Sequence, residues 1–267
     1  GLTITRGGNL VLAAVGRTPA EIASFAVAVG FVLQGTSLLS ALATAITPGL
    51  AELHASGDEK RAHDWATRAA TYQTFVAIIG TAFVIFLGQP FLQAALGDKY
   101  PNVFLIMLLS IGGLLPLAQT SLANQLAVAW GQPRLSLENW GVLAVIFVTA
   151  VGALGNAYGG PGAAAGLLLA AWIASLYSGA RLRHLDGPRL WNSRVVKLVL
   201  VALPALALPL LAHTLLLKVL LFLFVIVYMT TMALVLRLIP LSDLKDLRQA
   251  LTQRRDAEQA GQPPRQE

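Results

Sequence analysis

The chain has 267 residues, 56% of them hydrophobic and only 12% charged, with a mean hydropathy of +0.67. One water-soluble core of this size cannot bury so much apolar surface, so an ordinary soluble enzyme or binding domain is excluded and lipid is the expected solvent. The absence of cysteine excludes disulfides and thiolate metal sites, and the net charge of +6 does not call for nucleic acid, because basic residues at the ends of membrane spans explain it.

A bilayer core about 30 Å thick needs about 20 apolar residues of helix. Residues 1–16 are apolar from Asn9 onward but start abruptly at Gly1, with no initiator Met and no basic leader, as expected of a helix cut from a longer chain. Apolar runs of spanning length follow at 22–47, 68–88, 103–130, 140–158 and 162–180. The run 198–236 is too long for one span and divides near His213 and Lys218 into 195–213 and 217–237. The expected fold is therefore all-α, a polytopic membrane helix bundle of about eight spans over residues 1–240, the first truncated. Gly159, Gly160, Pro161 and Gly162 make a tight turn. Leu50 to Asp64 and Arg181 to Arg194 are the longest connections. Beyond Pro240, Ser242 caps a short amphipathic helix over 241–255 with Leu241, Leu244, Leu247 and Leu251 on one side, suited to a headgroup surface. Residues 256–267 have the composition of a disordered tail.

Orientation follows from the basic residues. If the connection after 22–47 is cytoplasmic, all of the 19 Lys and Arg except Arg6, Arg17, Lys99 and Lys218 fall on that side. The richer side is cytoplasmic by the positive-inside rule, which places the C-terminus inside.

Polar residues within spans are costly in lipid and point to cavities or helix contacts. Gly30, Gln34, Ser37, Ser40, Thr44 and Thr47 recur at three or four residues and share one helix face. That face is either a helix contact or the wall of a polar cavity. Pro116, preceded by Gly112 and Gly113, predicts a kink in a span that also holds Thr120, Ser121, Asn124 and Gln125. Such a bend serves gating or is static, and the same holds for Pro204 and Pro209. Gly162, Gly166, Ala170, Ala174 and Ser178 form a small-residue stripe that reads as close helix packing. Arg6 is the sharpest single residue. Ten residues before Gly16, it lies about 15 Å deep, near the bilayer centre. All 13 acidic residues sit in connections, at span ends or in the tail, so Arg6 faces another part of the protein or an anionic ligand.

Several short patterns, in order, resemble the C-terminal half of polysaccharide or lipid-linked oligosaccharide flippases, the Wzx-like branch of the superfamily of multidrug, oligosaccharidyl-lipid and polysaccharide exporters. They are Ala23 to Ala28 after the first outer turn; Pro48, Leu50, Ala51, Leu53, Ala55, Gly57 and Asp58 at the end of the next helix; Leu96, Gly97 and Tyr100; Ala129, Gly131 and Gln132; and Gly159 to Ala164. The resemblance covers about residues 1–240. It implies one lobe of a MATE-like transporter fold plus an extra C-terminal helix pair, working with a missing N-terminal lobe of the same chain in the bacterial inner membrane. It further implies alternating access that carries a polyprenyl-diphosphate-linked oligosaccharide to the outer leaflet for surface polysaccharide biosynthesis, with no cofactor and no bond made or broken. Arg6, Gln34, Ser37, Thr44 and Asn124 are the expected cavity residues, with Pro116 as the gating kink. Asn9 departs from the Asp of many relatives, which puts ion coupling at that position in doubt. An ion-coupled multidrug exporter of the same superfamily stays open, although no span interior here holds a carboxylate. A membrane enzyme of polysaccharide assembly is disfavoured, because the four histidines are scattered along the sequence. A non-transporting scaffold acting through the basic tail is the third alternative.

Overall fold

The computed structural model describes residues 2–97, 99–100, 102–184, 187–211 and 214–236. The expected amphipathic helix at 241–255 and the tail beyond it lie outside the described residues. Among those described, every regular element is helical: α1 (Leu2–Ala14), α2 (Pro19–Ala55), α3 (Glu59–Leu96), α4 (Val103–Ile111), α5 (Leu114–Ala129), α6 (Pro133–His184), α7 (Ser193–Ala207), a 3-10 turn (Leu208–Leu211) and α8 (Leu215–Val235). The fold is an all-α membrane helix bundle. Four of these helices are long and apolar enough to cross a membrane, and the bent pair α4–α5 makes a fifth passage.

Large apolar side chains face outward in numbers no soluble protein would show. In α8 only Val225, Met229 and Ala233 are buried, while Leu216 and Val227 are 71% and 63% exposed. Lipid is the solvent that such a surface fits.

α2 and α3 are longer than the apolar runs that announced them. The connection expected at 50–64 shrinks to Ser56, Gly57 and Asp58, because both helices continue past the hydrocarbon into water. Gly57 takes φ +77°, and Asp58 caps α3 by accepting from the Arg61 amide at 3.2 Å.

A straight helix of 52 residues, the length of α6, would reach about 78 Å, more than twice the bilayer core. Instead α6 folds back at Gly159, the residue with φ +66°. A Cβ on Gly166 would sit 2.7 Å from the Ala150 carbonyl carbon, and one on Gly155 would meet Ala163 at 3.6 Å. Residues sixteen apart on a straight helix are about 24 Å apart, so 133–158 and 160–184 form an antiparallel hairpin. The glycine turn is thus a true reversal. Gly162, Gly166, Ala170, Ala174 and Ser178 are all buried, so the small-residue stripe is the seam that lets two backbones approach.

The turn is clasped from the α1–α2 side. Thr18 and Glu21 form a reciprocal capping box at the start of α2, with Pro19 in the first turn. The Arg17 guanidinium donates to the Asn156 carbonyl and stands 3.9 Å from Glu21. A Cβ at position 159 would come within 2.4 Å of Glu21 Oε1. Gly159→Ala should therefore cost about 1–3 kcal/mol through the positive φ and the lost clasp. A thermal unfolding midpoint in detergent unchanged from wild type would contradict that.

One core runs through α1 to α6 around Phe25, Val32, Ile106, Leu167 and Ala171, with Ala77, Val84 and Leu92 from α3. A second, at the opposite end, joins α2, α3, α5 and α6 around Leu50, Ala66, Leu126 and Leu182. α7 joins the second core only through Val195 near its start; beyond that, α7 and α8 dock on α3 through Phe86, Leu198, Ala202, Val225 and Met229.

Candidate substrate-facing surface

α2 is the centre of the lobe, and its polar stripe marks where burial ends. Leu39, Ala43 and Leu50 point into the cores, whereas Gln34, Ser37 and Thr44 are exposed, with Ser40 and Thr47 at the border. Along that border α5 docks by side-chain hydrogen bonds. The Ser121 hydroxyl donates to Ser40 at 2.9 Å, the Gln125 amide donates to Thr44 at 3.2 Å, and Thr47 donates to Gln125 Oε1 at 3.4 Å. The two alternatives left open for this face are both realised: one edge is helix contact and the other is open.

The open edge divides its hydrogen-bonding capacity. Ser37 donates to the Leu33 carbonyl at 2.9 Å and Thr44 to the Ser40 carbonyl at 3.0 Å, so both hydroxyls have spent their protons within the helix; Ser37 keeps both lone pairs, and Thr44, which accepts from Gln125, keeps one. Gln34 makes no side-chain hydrogen bond to any described residue. Its donors and its acceptor are available.

Arg6 is exposed on α1, opposite the side on which Gly8 meets Phe25 and Phe147. It makes no ion pair or hydrogen bond to any described residue. α1 and α2 run antiparallel from the turn at 15–18, with Gly8 against Phe25, so Arg6 is about level with Val27, roughly two turns or about 10 Å along α2 from Gln34. Two donor-rich side chains thus stand on neighbouring helices about two turns apart in depth.

Asn124 belongs elsewhere. It is 6% exposed, and its Oδ1 accepts from the Asn139 amide at 2.8 Å across the α5–α6 contact. The pair leaves Asn124 Nδ2 and Asn139 Oδ1 without a protein partner. Truncating Asn139 to leucine strands the second amide, and the cost should be about 1 kcal/mol, typical of interhelical hydrogen bonds in membranes. A melting temperature in detergent equal to wild type would show that the pair contributes nothing.

Pro116 is buried in the first turn of α5. The 45° bend between α4 and α5 lies just before it, at Gly112 and Gly113. Physically the two features are one, since the proline ring denies the Gly112 carbonyl its helical donor. The Gly113 amide bonds the Ser110 carbonyl at 2.9 Å, tightening the turn.

Sequence patterning did not single out Gln73, Gln119 or Asn139. The Gln73 amide donates to the Leu39 carbonyl at 2.8 Å, and the Gln119 amide to the Ala70 carbonyl at 3.1 Å and the Thr74 hydroxyl at 3.0 Å. Both glutamines are buried and together tie α2, α3 and α5. A lone amide deep in an apolar run was the available signal.

The histidines also need correction, because three of the four are not scattered in space. His54 stacks on Trp130 with ring centroids 5.0 Å apart, His63 meets the same ring edge-on at 6.2 Å, and His63 and His184 line one cavity. His213 lies outside the described residues.

No protein-family model matches the chain, and no curated protein sequence matches it. Among solved structures, it superposes on the lipid II flippase MurJ in an inward closed conformation, with a TM-score of 0.69 and 18% identity. The chain has a MurJ-like fold. The match covers 86% of the chain and 51% of that structure, so the chain spans about half the length of the flippase it resembles.

Proposed function

We propose that this chain forms one lobe of a flippase that moves a polyprenyl-diphosphate-linked oligosaccharide from the cytoplasmic to the outer leaflet of a bacterial inner membrane, with its C-terminus inside. The single observation that carries this is the shared fold with a lipid II flippase over 86% of the chain. The Wzx-like motif pattern narrows the cargo to a precursor of a surface polysaccharide, and the second lobe comes from further sequence of the same protein.

The chemistry of the open face suits such cargo. A diphosphate cannot cross hydrocarbon bare; it needs charge-assisted donors in a site of low dielectric. Arg6 and Gln34 supply donors on neighbouring helices, about 10 Å apart along the bundle. Ser37 and Thr44, whose protons are committed within α2, present acceptors to sugar hydroxyls. The bend before Pro116 lies in the element that carries Ser121 and Gln125 to this face, so rocking there opens and closes its edge. Asn124, paired with Asn139, acts in this scheme as a fastener between α5 and α6 rather than as a contact to the headgroup.

Photo-crosslinking tests the assignment of the face. A benzophenone amino acid at Ser37 should capture a lipid-linked oligosaccharide, whereas the same group at Val227 on the lipid side of α8 should capture only bulk lipid. Equal labelling at the two positions would remove the cavity from this face.

A further inference from the structure

A second site lies at the end of the lobe where α3 and α7 begin and α6 ends. There a cavity of about 840 Å³ is lined by His63 and Thr67 of α3, Arg183 and His184 of α6, and Arg189 and Asn192 of the segment leading into α7. No carboxylate is among its described lining residues. Arg181 shows the contrast, since it is held by Glu138 at 3.0 Å. The Arg183 and Arg189 side chains have no ion-pair or hydrogen-bond partner among the described residues.

Two guanidinium groups on one cavity, neither paired with a carboxylate among the described residues, form a phosphate-type recognition surface. The adjoining surface decides what carries the phosphate. Arg183 and Arg189 also border a narrower cleft of about 120 Å³ whose other walls are Leu176, Leu190 and Trp191. Trp191 stacks on Trp172 with centroids 5.3 Å apart and an interplanar angle of 27°, and Leu176 is 56% exposed. A charged pocket that opens onto an apolar, tryptophan-walled slot matches a molecule with an anionic head and a hydrocarbon tail. A free anion would use the pocket and ignore the slot. Paired tryptophans at this level also suit the boundary between headgroups and acyl chains.

We propose that Arg183 and Arg189 hold the phosphate of an anionic membrane phospholipid, with its acyl chain lying along Leu176 and Trp191. This is a resident-lipid site, independent of the cargo face on α1 and α2. It ties α3, α6 and α7 together at one membrane surface through a lipid bridge.

Native mass spectrometry of the purified protein in detergent tests this, with dioleoylphosphatidylglycerol or dioleoylphosphatidylcholine added at equal concentration. Phosphatidylglycerol should bind about tenfold tighter or more, as two arginines near a headgroup predict. The double variant Arg183→Ala/Arg189→Ala should lose that preference, while Arg134→Ala, a basic residue outside the cavity, should keep it. The double lysine variant keeps charge at both positions and should retain part of the preference, which separates binding from misfolding. Equal binding of the two lipids, or an unchanged preference in the double alanine variant, would overturn the proposal. Displacement of phosphatidylglycerol by millimolar inorganic phosphate would overturn the lipid assignment too, because the site would then take the anion without the tail.

Discussion

Replacing Arg6 with alanine is expected to lower translocation of a lipid-linked oligosaccharide by about 10- to 100-fold, the loss of one hydrogen-bonded charge in a desolvated site, with normal protein levels in the membrane. The side chain is exposed on the lobe and has no partner among the described residues, so folding has little to lose by its removal. A guanidinium near mid-membrane depth is costly unless it is satisfied. An anionic cargo satisfies it during transport. Arg6→Lys should recover part of the rate, because it keeps the charge and loses the fork that grips two phosphate oxygens. A rate within twofold of wild type for Arg6→Ala, at equal expression, would exclude a headgroup role.

The second large effect falls on the hairpin seam of α6. Gly166→Leu and Gly162→Leu should each prevent a stable lobe, with losses of monodisperse protein in detergent well beyond those of ordinary core substitutions. At Gly166 a Cβ would stand 2.7 Å from both the Ala150 carbonyl carbon and the Val151 nitrogen, and at Gly162 it would stand 2.0 Å from the Leu154 carbonyl oxygen. These neighbours are backbone, so no rotamer change relieves the overlap, and the two halves of α6 must separate. Gly141→Leu is the control, because nothing lies within 4 Å of a Cβ there. Wild-type yield and melting temperature for Gly166→Leu would mean that the two halves do not meet as described.

The contrast between those two sites explains how far the sequence could be read. Helix existence and the reversal at 159–162 were legible because apolar length and a Gly-Gly-Pro-Gly run report directly on bilayer thickness and on backbone freedom. Helix ends were less so: the solvent-exposed extensions of α2 and α3 carry polar residues that hydropathy reads as loop, while Asp58 and Gly57 cap and turn them locally. The stripe on α2 was legible as a face from its period of three to four residues. Which of its edges was buried was not, because that depends on α5 presenting Ser121 and Gln125 at a distance of 81 residues along the chain. Asn124 illustrates the same limit. An interior amide looks identical in sequence whether it meets cargo or Asn139, and only the partner helix decides. The basic cavity at His63, Arg183 and Arg189 was hidden for a related reason, since topology reads those residues only as charges on one side of the membrane.

Proteoliposomes holding the complete transporter, loaded with a fluorescent polyprenyl-diphosphate oligosaccharide, measure the central claim most directly through the fraction of sugar exposed to an impermeant reagent on the far leaflet. Time-dependent exposure that Arg6→Ala slows, with no export of a cationic dye under a sodium or proton gradient, is the predicted result. Gradient-driven dye export with the lipid-linked sugar left on its original leaflet would contradict the flippase assignment and place the lobe in an ion-coupled drug exporter.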